Sequence, residues 1–197
     1  MTTNQHPPAS IQTFTGKIVQ PLAMRLEDIS VQDIAHALSN KCRFSGMTRE
    51  FYSVAQHSVY VSKVVETLSK EKYGIYSKKA LLEIAQQGLF HDADEAYLPD
   101  IPTPIKKLPE CLFLKEAGTA IFKVVMEKLN LPTTEYPIVK TADKILLATE
   151  KRDLMGPKEE FYFEEQPLVG FTISPLPPKA AFKLFLKRYH ELFSSSV

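Results

Sequence analysis

The chain has 197 residues, 44% of them hydrophobic, enough for one domain with a real core; 24 Lys+Arg against 23 Asp+Glu leave a formal charge of +1. A balance so close to neutral excludes a global field drawing the protein to a nucleic-acid polymer or an anionic membrane, so any anionic ligand must be held locally. No stretch approaches the roughly 18 apolar residues of a membrane span, and MTTNQHPPASIQ at the start lacks the basic and apolar regions of a signal peptide.

The two cysteines, Cys42 and Cys111, make no CxxC pair and no disulfide framework. Both lie in apolar, helical-looking stretches, where a buried thiol is expected. The expectation is one domain over 1–197, with a core at about 30–153, in a reducing cytoplasm.

Residues 1–29 carry Pro7, Pro8, Gly16 and Pro21 and little helical period, which predicts a frayed end and a short extended or hairpin segment at TFTGKIVQPL, lying across a helical body. Ser30 caps the next segment and Asp33 favours its first turn. Val31, Ile34, Ala35 and Leu38 recur at helical spacing, giving a helix with one buried face. Ser53 caps a second helix in which Val54, His57, Val61, Val64 and Leu68 share a face, so His57 points inward. A third helix starts near Ser77, buries Leu81, Ile84, Ala85 and Leu89, and ends at His91-Asp92 before the Pro-rich LPDIPTPIK. Pro109 opens a fourth helix to about Leu129, with Ala117, Ile121, Val124 and Val125 inside. After NLPTTEYP a fifth runs over about 138–153 and carries Asp143. Beyond it, residues 154–197 divide into a small hairpin at FYFEEQPLVGFTIS and a last amphipathic helix marked by Phe182, Phe185, Tyr189 and Leu192.

Two imidazoles and two carboxylates, His57, His91, Asp92 and Asp143, come from three of these elements. A lone inward His is more often a hydrogen-bonded core residue than a ligand. Here two lie on inward faces, and Asp92 and Asp143 would otherwise be buried carboxylates in need of a partner. The set predicts a site for one divalent ion. Nitrogen and oxygen donors without thiolate suit Co(II), Mn(II), Fe(II), Zn(II) or Mg(II), and the choice stays open. Glu95, four residues after His91, would share its face if the helical turn persists, and is the candidate proton carrier for an activated water. Asp94 reads as a solvated charge aimed elsewhere.

The tract HDADEAYLPDIPTPIK at 91–106, with KCRF at 41–44, YSVAQHS at 52–58 and KTADK at 140–144, resembles the HD-domain phosphohydrolases. It looks like their small nucleotide-hydrolysing branch of bacterial 5′-deoxynucleotidases and phage dATP triphosphohydrolases. The resemblance covers about 30–153, and the string DxPTPxK is more specific than HD alone. It implies an all-α, compact HD-domain helical bundle; metal ligation by His57, His91, Asp92 and Asp143; and water activation by Glu95. It further implies that Arg43 grips phosphate, that Asp100 contacts a sugar hydroxyl and that Lys106 adds positive charge near the phosphates. Phe44 stands where the deoxynucleotidases carry Trp, and this chain has no Trp. The pattern HDxxE in place of HDxxH favours one metal and leaves His36 on a helix surface; His6 and His190 look incidental.

The function so implied is stepwise removal of phosphates from a purine nucleoside tri-, di- or monophosphate or an analogue with an altered, oxetane-type sugar. Co2+, Mn2+ or Mg2+ is the preferred ion, and the expected assembly is a homodimer or larger. Two alternatives stand beside it: release of intact triphosphate in one step, and a non-catalytic nucleotide-sensing scaffold.

Overall fold

The computed structural model describes residues 9–71, 74, 77–156 and 164–194. Residues 11–12 (β1, Ile11–Gln12) and 18–19 (β2, Ile18–Val19) pair antiparallel, Ile11 opposite Val19 and Gln12 opposite Ile18. This ribbon lies on the helical body as expected. The Thr15 hydroxyl and backbone N–H both donate to the Asp33 carboxylate, and the Phe14 ring stacks on His36 at 3.8 Å between centroids.

Among the described residues everything else that is regular is helical: α1 (Val31–Asn40), α2 (Val54–Glu71), α3 (Lys78–Leu89), α4 (Thr103–Lys106), α5 (Leu112–Lys128), α6 (Pro137–Leu154) and α7 (Pro178–Phe193). The starts follow local chemistry. Ser30, Ser53 and Ser77 side chains accept from the backbone N–H of Asp33, Gln56 and Ala80, satisfying amides that the first turn leaves orphaned. Pro137 occupies the first position of α6, where a missing N–H costs nothing.

Helix α2 is the hub and touches α1, α3, α6 and α7. Its closest neighbour is α3. A Cβ built on Gly88 would lie 3.2 Å from the Ser62 Cα, so glycine is what lets the two backbones approach there. The same level is tied by side chains: Ser62 Oγ donates to the Ala85 carbonyl, and buried Arg188 of α7 donates to Ser62 Oγ and to its carbonyl. Phe90, fully buried just past α3, meets the rings of Phe185, Tyr189 and Phe193 edge-on, with centroids 5.5 to 6.1 Å apart. That aromatic anchor holds the His91 corner.

The structure departs from the sequence expectations in four places. Helix α3 stops at Leu89, so His91 and Asp92 sit in the turn beyond it, and a separate 3-10 turn covers Ala93–Ala96. Pro109 opens a 3-10 turn (Pro109–Cys111), with α5 starting at Leu112 and α4 preceding it as an extra helical turn. No strand occurs over the described residues 164–174, where the C-terminal hairpin was expected; 161–163 lie outside the described residues. Cys42 and Cys111 are half-buried and neither is in an α-helix, because each precedes a 3-10 turn or closes one at the surface. His6 also lies outside the described residues.

Candidate metal centre

Three elements converge on one point. His57 comes from the second turn of α2, His91 and Asp92 from the corner after α3, and Asp143 from α6, whose Val139, Ala142 and Leu146 are buried beneath it. The His57 and His91 Nε2 atoms lie 3.2 Å apart. Asp92 Oδ2 is 3.6 Å from the first and 3.2 Å from the second, while Asp143 Oδ1 is 3.2 Å from His57 Nε2. The ligand atoms of His57, His91 and Asp92 all lie within 4.8 Å of one another, so this cluster can hold a metal ion.

The other nitrogen of each ring is already committed. His57 Nδ1 is 2.6 Å from Glu150 Oε1, and His91 Nδ1 is 2.9 Å from the Gly88 carbonyl. With Nδ1–H donating in both rings, the two Nε2 atoms are turned toward each other and toward two carboxylates, the orientation that outer partners impose on metal-bound histidines. The donor set therefore fits a hard-to-borderline divalent ion.

The local field agrees. Burial works against a charged His91 ring, but the Asp92 charge and hydrogen bond, with Asp143, outweigh it and lift the ring to about 10. His57 is raised too: burial and Arg43 oppose its charge, and Glu150 and Asp143 overcome them. Asp92 and Asp143 are held below the usual carboxylate range, since the histidines more than offset burial. The field at the cluster thus favours positive charge.

Glu150 was missed in the sequence. It is fully buried on α6, two turns beyond Asp143 and on the same face; that spacing was the signal available. Its Oε2 accepts from Arg43 Nε and Nη2 at 3.2 and 3.1 Å, and the third guanidinium nitrogen reaches Asp92 Oδ2 at 3.4 Å. Arg43 is therefore largely engaged with two carboxylates while also lining the cleft. Two more polar residues escaped notice. Lys41 Nζ donates to the Glu95 and Leu98 carbonyls. Gln87 clamps the loop before α6, donating to the Pro132 and Thr134 carbonyls and accepting from the Tyr136 N–H.

A cleft of about 240 Å³ opens beside the cluster and brings together the remaining expected residues: Arg43, Phe44, Glu95, Asp100 and Lys106, with Asp92 and Asp143 in its wall. Glu95 reaches it from the 3-10 turn. Its Oε1 accepts from Lys106 Nζ at 2.9 Å, so Lys106 is paired, not a freely solvated loop lysine. Glu95 Oε2 is buried with no hydrogen-bond partner among the described residues. Burial, then the Asp92 charge, push this carboxyl up to about 7, with Lys106 opposing. Phe44 lies 5.5 Å from the Arg43 guanidinium carbon, in a stretch where Phe44, Ser45 and Gly46 all have φ between +52° and +79°. Asp94 overturns its reading as a solvated charge. It is half-buried and faces a second cavity, because the turn after Asp92 is 3-10 and not α.

No family model matches the chain. It is 39% identical over 186 residues to the uncharacterized protein YfdR of Escherichia coli K12, covering 92% of this chain and 94% of that one. It is 29% identical over 180 residues to the uncharacterized protein RCAP_rcc00048 of Rhodobacter capsulatus, covering 85% and 87%. No described helix is long and apolar enough to cross a membrane. With identity at that level along nearly the full length of both chains, this protein belongs to the family of YfdR.

Proposed function

We propose that the protein is a phosphohydrolase of the HD-domain type that uses one divalent ion, with Mn2+, Co2+ or Mg2+ preferred, to remove phosphates stepwise from a purine nucleotide. The observation that carries this reading is the convergence of His57, His91, Asp92 and Asp143 beside an under-coordinated, elevated Glu95. A structural ion site has no use for such a group, whereas a hydrolase needs a proton acceptor poised near neutral pH.

The ion, when bound, acidifies water and neutralises phosphoryl oxygens. Glu95 receives the proton of the attacking water on Oε2, and Lys106 on its other oxygen keeps the carboxylate facing the cleft. Arg43 adds positive charge at the cleft wall and is pinned by Glu150, so its fork is already oriented when phosphate arrives. Asp100 on the opposite loop accepts from a sugar hydroxyl, and Phe44 offers a ring edge to the same sugar. The near-neutral chain thus handles a polyanion by local charge alone.

The test is incubation of the full chain with each ion and a set of purine nucleoside triphosphates, with products resolved. Inorganic phosphate with di- and monophosphate intermediates is the expected result. Intact tripolyphosphate selects single-step release instead, and tight nucleotide binding without turnover under any ion selects the sensing scaffold. Asp92→Ala should abolish turnover. Glu95→Gln should lower kcat by about 10²–10⁴-fold while leaving metal affinity intact, as measured by calorimetry.

A further inference from the structure

A second cavity of about 350 Å³ lies between the 93–96 turn, α5 and the segment leading into α6. It shares His91 with the metal centre, and Ile101 and Lys106 with the phosphate cleft, so one ligand can span both spaces. Leu98, Ile101, Leu114 and Phe122 give it an apolar wall, while Lys115, Glu135 and Lys140 make the rest polar. Facing it is Asp94, which receives neither a hydrogen bond nor an ion pair from any other described residue. Helix α5 leaves room for this carboxylate: a Cβ built on Gly118 would lie 2.5 Å from Asp94 Oδ2. The Asp94 carboxylate accepts from its own backbone N–H and keeps acceptor capacity toward the cavity, which a ligand bearing N–H groups can use.

The chemistry narrows the ligand. Glu135 is paired with Lys140 at 3.2 Å, so Asp94 is the carboxylate that the cavity offers to a ligand, and the polyphosphate is placed in the cleft because Arg43 and the metal-centre carboxylates Asp92 and Asp143 line it. The apolar wall of Leu98, Ile101, Leu114 and Phe122 suits a flat ring, and the volume falls within the range of small-molecule sites. An ionised carboxylate only accepts, and it is best satisfied by two adjacent donors. Among the common bases, guanine alone presents a ring N–H beside an exocyclic amino group; adenine and cytosine pair an amino group with a ring acceptor, and thymine flanks one N–H with carbonyls.

We propose that this cavity binds the base of the substrate and that Asp94 selects guanine by accepting from N1–H and the 2-amino group. The proposal rests on the nucleotide reading for the phosphate end alone. Calorimetric titration of the full chain with guanosine and with inosine, which lacks the 2-amino group, tests it without any turnover. Guanosine should bind about tenfold more tightly than inosine. Asp94→Asn keeps the side-chain volume and should erase that difference. Gly118→Ala, which displaces the carboxylate, should do the same. Equal affinity for guanosine and inosine in the unaltered protein, or discrimination that survives in Asp94→Asn, overturns the proposal. Failure of the hydrolase reading looks different: Asp94-dependent guanosine binding with no phosphate release from any nucleotide keeps the cavity and removes the activity. Phosphate release from all nucleotides at rates unaffected by Asp94→Asn does the reverse.

Discussion

Glu150 acts on the metal centre from behind it. One of its oxygens fixes the tautomer and angle of His57, the other anchors Arg43, and the whole group is sealed from water. Burial alone would raise its pKa, but Arg43 and His57 hold it below the usual glutamate range. Removing the charge should therefore be felt twice. Glu150→Gln leaves Arg43 without its main partner, and breaking a buried pair costs about 3–5 kcal/mol. It also loosens His57, and loss of such an outer partner weakens metal binding about 10–100-fold. Urea denaturation and calorimetric metal titration measure the two effects separately. Retention of full metal affinity would show that His57 needs no such support.

At the level of elements, the decisive packing is α2 against α3. Gly88 permits the close approach, and its carbonyl also accepts from His91 Nδ1, so one residue sets both the helix spacing and the ligand's orientation. Gly88→Ala gains about 1 kcal/mol of helix propensity. It also presses a methyl to 3.2 Å from the Ser62 Cα and 3.3 Å from a Val65 methyl, and such overpacking typically costs 1–3 kcal/mol. Ser62 is backbone in the middle of the hub helix and has little room to yield. A net loss of about 1 kcal/mol is expected, with weaker metal binding; a higher midpoint on thermal denaturation would show that α3 can slide.

For the molecule as a whole, the charges of the centre couple stability to pH. His57 and His91 have raised folded values; the stability they contribute is complete below their ordinary value of 6.5 and is lost as pH rises through about 10 for His91. Glu95, raised to about 7, and Asp94, raised by burial and then by Asp92 to about 6, act in the same direction at lower pH. Asp92, Asp143 and Glu150 act oppositely: their contribution is present above the ordinary carboxylate range and is lost only in strong acid. Metal-free protein should thus lose stability steadily from about pH 5 to 10. A metal ion requires unprotonated rings, so its binding releases protons and tightens across the same interval. Denaturation at a series of pH values, with a chelator and with Mn2+, should give curves that diverge as pH rises. Chelated protein that gains stability between pH 7 and 10 would contradict the assignment.

Much of this architecture was readable before any folding, for a physical reason. Caps and amphipathic faces are settled by residues within about four positions of one another, so Ser30, Ser53, Ser77 and the inward face of His57 declared themselves in the chain. Side chains that meet from different elements leave no such trace. That Arg43 is held by Glu150, that Lys106 binds Glu95 and that Asp94 faces a cavity against Gly118 were decided by how the 3-10 turns and α4 pack on α5 and α6. The amino-acid order determined the helices and which residue types were available as donors. Only the tertiary structure decided which of them share a pocket, because the energy of buried charges depends on their neighbours in space.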